Sequence, residues 1–147
     1  METINDYMMG DHRQVDAIFE RADRAAEAGD FAALERESAD FLRRIAAHIE
    51  MEERLLFPAF EERTGMGAGG PTATMIEEHR SMETLFEQMR DAVSARNAAA
   101  YRAASAQVME ILLPHNQKEE QMMYPMLDSA MGDEASALLG EVKAMAV

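Results

Sequence analysis

The chain has no cysteine, which removes disulfides, thiolate metal sites and cysteine nucleophiles together. Any metal it holds is therefore bound through nitrogen and oxygen. Positive charge is also scarce: 14 Lys and Arg stand against 28 Asp and Glu, for a net charge of -14. Nucleic acid and anionic membrane surfaces both require a basic patch, so neither is expected as a partner. No apolar run approaches the roughly 18 residues of a membrane span. No window alternates apolar and polar residues as a half-buried strand does. The opening Met1-Glu2-Thr3-Ile4-Asn5-Asp6 lacks the basic and apolar regions of a signal peptide. A soluble, cytoplasmic protein is expected. Hydrophobic residues make up 48% of the chain, enough to argue against disorder despite the charge, and residues 1–147 suit a single domain.

What is present is helical periodicity. Ile4, Met8, Val15, Ile18, Phe19 and Ala22 share one side of a helix expected over about 3–28; Gly29 ends it and Asp30 caps the next. The second runs over about 31–63, with Leu34, Phe41, Leu42, Ile45, Leu56 and Phe60 facing inward. Pro58 lies inside it, where the loss of one backbone hydrogen bond predicts a kink past His48. The stretch Gly65-Met66-Gly67-Ala68-Gly69-Gly70-Pro71 breaks the pattern and joins two halves. A third helix over about 72–95 follows, then a fourth over about 98–130 capped by Asn97, and a short fifth over about 133–145. The halves form hairpin repeats of about 3–63 and 72–130. Together they predict an all-α, antiparallel up-and-down four-helix bundle with a pseudo-two-fold repeat and a short C-terminal helix. The 14 methionines fall at helical spacing and are read as adaptable core filling.

The repeat carries the chemistry. His48-Ile49-Glu50-Met51-Glu52-Glu53-Arg54-Leu55-Leu56-Phe57-Pro58 recurs as His115-Asn116-Gln117-Lys118-Glu119-Glu120-Gln121-Met122-Met123-Tyr124-Pro125. Asp11-His12-Arg13 recurs as Glu78-His79-Arg80, and both pairs are offset by 67 residues. All four histidines thus occupy matching places in two halves. Residues four apart on a helix point the same way, which pairs His48 with Glu52, His79 with Glu83 and His115 with Glu119. Three residues before the histidines stand Met9, Ile45, Ile76 and Leu112; seven after them stand Phe19, Leu55, Phe86 and Met122. The histidines therefore fall on apolar stripes. Buried imidazoles and carboxylates are costly unless paired, and a bound cation removes that cost. The candidate ligands are His12, His48, Glu52, His79, Glu83, His115 and Glu119. They are too many for one tetrahedral zinc, but they suit two six-coordinate ions sharing carboxylates. Iron, manganese and zinc all accept such donors. Glu53 and Glu120, five residues after their histidines, belong on the flank or behind the ligands as their support. Asp16 has three readings, as ligand, as support for His12 or as a surface group, and is left outside the ligand set. Tyr7, Tyr101 and Tyr124 are candidate redox groups or supports for the ligands, but Tyr124 matches Phe57 in the repeat, so packing accounts for it.

These motifs resemble those of the hemerythrin-like, or HHE cation-binding, domain, over nearly the whole chain. The resemblance implies a non-haem centre of two iron ions bridged by oxo or hydroxo and by two carboxylates. Glu52 and Glu119 would bridge; His12 and His48 would hold one iron, and His79 and His115 the other. The chain departs from oxygen-carrying hemerythrins at Glu83, where they have a histidine. They also use a carboxylate five after the last histidine, which keeps Glu120 as a rival to Glu119. A carboxylate in place of an imidazole should favour the ferric state and weaken reversible oxygen carriage. The Glu-x-x-His signature of ferritin-like di-iron bundles is missing, since no histidine has Glu three residues before it. The expected function is binding or sensing of oxygen, nitric oxide or peroxide at a di-iron centre, with weak peroxide removal. The alternatives are a reversible oxygen carrier or store, and a non-enzymatic metal-binding module acting through a protein partner.

Overall fold

A computed structural model describes residues 1–67 and 69–147; Ala68, within the glycine-rich joint, lies outside them. Among the described residues the structure is helical, with no strand. Helix α1 (Ile4–Ala28) begins with a reciprocal cap between Thr3 and Asp6 and ends at Gly29, whose φ of 71° carries no Cβ penalty. Asp30 accepts from Ala33 N–H to start α2 (Phe31–Met51), and Asn97 accepts from Ala100 N–H to start α5 (Ala98–Lys118). Helix α4 (Pro71–Ser94) starts on proline, whose missing N–H would have had no helical partner there.

Helices α2 and α5 do not stop where their regular hydrogen bonding stops. Each passes into a five-residue π turn, Glu52–Leu56 and Glu119–Met123, and continues as α3 (Phe57–Thr64) and α6 (Tyr124–Met131). In these turns Phe57 N–H bonds to the Glu52 carbonyl and Tyr124 N–H to the Glu119 carbonyl, five residues back rather than four. A proline stands one residue on in each half. Pro58 and Pro125 cannot donate, and their rings would crowd the carbonyl four residues earlier. A wider turn relieves that contact, so the interruption expected at Pro58 takes the form of a π turn in both halves.

The π turn shifts the stripe read from the histidines, and it leaves Leu56 inward as expected of the second helix. It inserts one residue, so the inward position moves from seven to eight after the histidine. Leu56 and Met123 are buried there, whereas Leu55 is half-buried and Met122 is 39% exposed.

Four rods result: α1; α2 with α3; α4; and α5 with α6. The rods pair as hairpins, α1 with α2 and α4 with α5, and close through α1–α5 and α2–α4 contacts into the expected four-helix bundle. A short 3₁₀ turn, Gly132–Glu134, leads to α7 (Ala135–Ala144), which packs over the first π turn, α1 and α6. Asp128 of α6 accepts from the N–H groups of Ile4 and Asn5 and so ties the far end of the chain to the start of α1.

Two apolar clusters fill the bundle. One includes Phe19, Phe41 and Phe86, whose rings meet edge to face at 5.2 and 5.8 Å. The other includes Ile4, Met8, Leu56, Phe60, Met75, Met123 and Leu139. Between them lies a layer of buried polar side chains: His12, His48, Glu52, His79, His115 and Glu119. The phase shift has a measurable consequence. Met123→Ala should destabilise the protein by about 2–5 kcal/mol, as a buried truncation does. Met122→Ala should change it by no more than about 0.5 kcal/mol. Denaturant melts of the two variants compare the two positions directly.

Candidate metal centre

Each rod contributes to the polar layer. Helix α1 supplies His12, α4 supplies His79, and the ends of α2 and α5 supply His48 and His115. Glu52 and Glu119 open the two π turns. Two groups form, His12–His48–Glu52–Glu119 and Glu52–His79–His115–Glu119; within each, the ligand-type atoms lie within 4.8 Å of one another. The carboxylates are common to both. Glu119 Oε1 stands 3.2 Å from His12 Nε2 and its Oε2 3.2 Å from His115 Nε2. Glu52 Oε1 stands 3.0 Å from His79 Nε2 and its Oε2 3.6 Å from His48 Nε2.

All four imidazoles are held the same way. Nδ1 of His12 meets Glu120 at 2.6 Å, that of His48 meets Asp11 at 2.7 Å, that of His79 meets Glu53 at 2.6 Å, and that of His115 meets Glu78 at 2.8 Å. An outer carboxylate on Nδ1 fixes the ring and leaves Nε2 turned inward, the usual support of a metal-binding histidine. Three of these carboxylates are anchored in turn: Asp11 by Arg44, Glu53 by Arg80 and Glu78 by Lys118.

The inner atoms suit a cation. Glu52 Oε1, His79 Nε2 and Glu119 Oε2 are buried without a hydrogen-bond partner, although the first two lie only 3.0 Å apart. Close spacing without hydrogen-bond alignment is what donors aimed at a common ion produce. Positive charge is favoured at His48 and His115. Burial opposes the charged form of His48, but the Glu52 charge and the Asp11 hydrogen bond outweigh it and hold the imidazolium up to about 10. His115 is likewise pushed up to about 9: burial opposes, while the bond and charge of Glu119 prevail.

Of the residues singled out in the sequence, six meet in this layer. Glu83 does not. Its side chain is 46% exposed and pairs with Arg80 at 2.8 Å, outside the cluster. Helix α4 keeps α-helical geometry through this region, and Met82 and Phe86 take its inward positions. The negative charge expected of Glu83 at the ligand cluster is therefore held at the surface. Glu119 rather than Glu120 lies inside the layer, and Glu120 stands behind His12. Asp16 is half-buried on α1, outside both groups, and burial raises its carboxyl pKa.

Two residues against the layer, Asp11 and Glu78, carry no role in the sequence reading, and a third, Tyr124, carries only a secondary one. Asp11 and Glu78 have a visible signal there, because each directly precedes a histidine in its copy of the repeat. Tyr124 is more than the packing residue its match with Phe57 suggests. Its buried hydroxyl donates to Glu52 Oε2 at 2.5 Å and lies 3.0 Å from Glu119 Oε1. The hydroxyl is also 3.4 Å from Nε2 of both His12 and His48. Burial, together with the charges of Glu119 and Glu52, holds its pKa well above the usual value.

A helical bundle whose core holds two histidine–carboxylate groups sharing two glutamates defines a cation-binding protein of the four-helix class. The chain belongs to the hemerythrin family: the model of the hemerythrin HHE cation binding domain matches residues 3–127. It is also 32% identical over 95 residues to the iron-sulfur cluster repair protein YtfE of Edwardsiella ictaluri (strain 93-146). That match covers 59% of this chain and 42% of the relative, so the chain spans less than half of the relative's length. No solved structure matches the chain significantly. No helix among the described residues is long and apolar enough to cross a membrane.

The outer carboxylates and the two raised histidines each set an expectation for metal binding. Asp11→Asn and Glu53→Gln keep the shape of the outer groups but remove their charge, and each should weaken metal binding about 10–100-fold. Competition with a calibrated chelator measures this, and unchanged affinity would contradict the support role. The second expectation concerns pH. Metal must displace the protons held by His48 and His115, whose values of about 10 and about 9 keep both charged at neutrality. Metal affinity should therefore rise with pH through neutrality and level off only in the alkaline range, with protons released on uptake. Isothermal titration in buffers of different ionisation enthalpy counts them.

Proposed function

We propose that the polar layer holds two iron ions and that the protein uses them to bind a small oxidant or diatomic ligand, namely oxygen, nitric oxide or peroxide. The observation that carries this reading is the division of Glu52 and Glu119, each with one oxygen in each histidine group. Two cations sharing two carboxylates match that arrangement better than one, and histidine with carboxylate oxygen suits iron. His12 and His48 would hold one ion, and His79 and His115 the other. Bound iron would supply a redox couple and a coordination position for the incoming ligand. The chain's own residues do the rest. Asp11, Glu53, Glu78 and Glu120 fix the imidazoles, and the apolar clusters on either side keep bulk water out of the layer. The net charge of -14 gives no separate guide to the ligand.

A second reading comes from the similarity to YtfE, whose name assigns it to iron-sulfur cluster repair. In that reading the bound iron serves the restoration of a damaged cluster in another protein.

Ligand titrations separate the readings. Ferrous-loaded protein should show a saturable absorption change with nitric oxide under anaerobic conditions, and it should consume hydrogen peroxide faster than the zinc-loaded chain. Oxygen uptake that reverses fully on evacuation would instead make the protein a carrier. Recovery of cluster absorption in an iron-depleted iron-sulfur protein, with the iron-loaded chain but not the zinc-loaded one, would favour repair. No response to any of these ligands would sink the proposal of a ligand-binding centre.

A further inference from the structure

The repeat that builds the metal layer is broken at one place inside it. Position 57 is phenylalanine and its counterpart at 124 is tyrosine. Both residues follow a π turn, which sets each of them one wide turn beyond its glutamate. The Phe57 ring stacks on His79, with centroids 5.8 Å apart and planes inclined by 17°, and brings no polar atom to the His79–His115 side. Tyr124 brings its hydroxyl to the His12–His48 side.

The hydroxyl oxygen lies 2.5 Å from Glu52 Oε2, 3.0 Å from Glu119 Oε1 and 3.4 Å from Nε2 of both His12 and His48. The two Nε2 atoms are 3.0 Å apart, and His12 Nε2 is 3.2 Å from Glu119 Oε1. Metal–ligand bonds of about 2.0–2.2 Å meeting at right angles give edges of about 3 Å between neighbouring donors. The phenol oxygen therefore sits at the spacing of one more vertex of the polyhedron drawn by His12, His48, Glu52 and Glu119. The hydrogen bond to Glu52 accounts for one of these contacts, and the hydroxyl stands within 3.4 Å of three further ligand atoms as well.

We propose that Tyr124 is a fifth protein ligand, through its phenolate oxygen, to the ion held by His12 and His48. The proposal rests on the di-iron reading given above. When the oxygen–metal bond forms, the phenol O–H bond breaks and its proton leaves to solvent; no electron is transferred. The two ions are then unequal. One has five protein donors and the other has four, beneath the apolar face of Phe57. An incoming ligand is directed to the ion held by His79 and His115.

The test uses the full chain loaded with iron and oxidised to the ferric state, with iron counted per chain. The wild type should show a visible tyrosinate-to-iron charge-transfer band, and resonance Raman should show phenolate ring modes that shift when tyrosine is ring-deuterated. Tyr124→Phe should lose both signals, and Phe57→Tyr should strengthen them. The Raman measurement on the wild type stands without any variant, so a poorly folded Tyr124→Phe protein would not leave the question open. Two irons per chain without phenolate modes, or with modes that survive in Tyr124→Phe, would overturn the assignment of Tyr124 alone. Failure to take up iron would overturn both this assignment and the di-iron reading.

Discussion

Burial of four imidazoles and two carboxylates in one layer is the constraint on which the rest of the structure depends. Removing such groups from water costs several kcal/mol for each charge left uncompensated. The bundle meets that cost in two directions. Outward, every Nδ1 has a carboxylate of its own. Inward, the ε nitrogens and the two shared glutamates face one another, where cations or, in their place, the protons of His48 and His115 balance the charge. The apolar clusters on either side make the layer dry, which strengthens these interactions and raises the penalty for any group left over. The capping residues and the anchor from Asp128 lie away from it and, with α7 packed over the first π turn, hold four rods at a fixed spacing.

Duplication explains how so small a chain assembles a two-part site. Asp11 supports His48 and Glu78 supports His115, each within its own hairpin. The other two supports cross over: Glu53 of the first half holds His79 of the second, and Glu120 of the second holds His12 of the first. Neither hairpin therefore contains a complete set. The two halves are locked by reciprocal bonds as well as by apolar packing, and the difference between Phe57 and Tyr124 is the one place inside the layer where the symmetry is chemically lifted.

The bundle and most of the layer are legible in the amino-acid sequence. The constant offset of 67 residues picks out the histidines, Glu52 and Glu119, while Gly29, Asp30 and Asn97 mark helix ends by their local chemistry. Such features are short-range, so pattern suffices to find them. Three others are hidden from pattern for physical reasons. The prolines announce an interruption, but a kink, a break and a π turn share the same local sequence, and the π turn buries Met123 where the stripe read from the histidine puts Met122, while Leu56 is buried as its place on the second helix predicts. Glu83 has the same spacing from its histidine as Glu52 has from His48, yet Met82 and Phe86 take the inward positions of α4 and Arg80 holds the Glu83 side chain at the surface. Tyr124 differs from Phe57 by a single oxygen, and only the three-dimensional arrangement reveals where that oxygen points.

Anomalous diffraction at the iron edge, on crystals of protein loaded anaerobically with iron, tests the central claim most directly. The expected result is two peaks per chain. One should lie within about 2.0–2.2 Å of Nε2 of His12 and His48 and the other equally close to Nε2 of His79 and His115, with Glu52 and Glu119 reaching both. A single peak, or peaks away from this layer, would contradict a two-ion centre built on the shared glutamates.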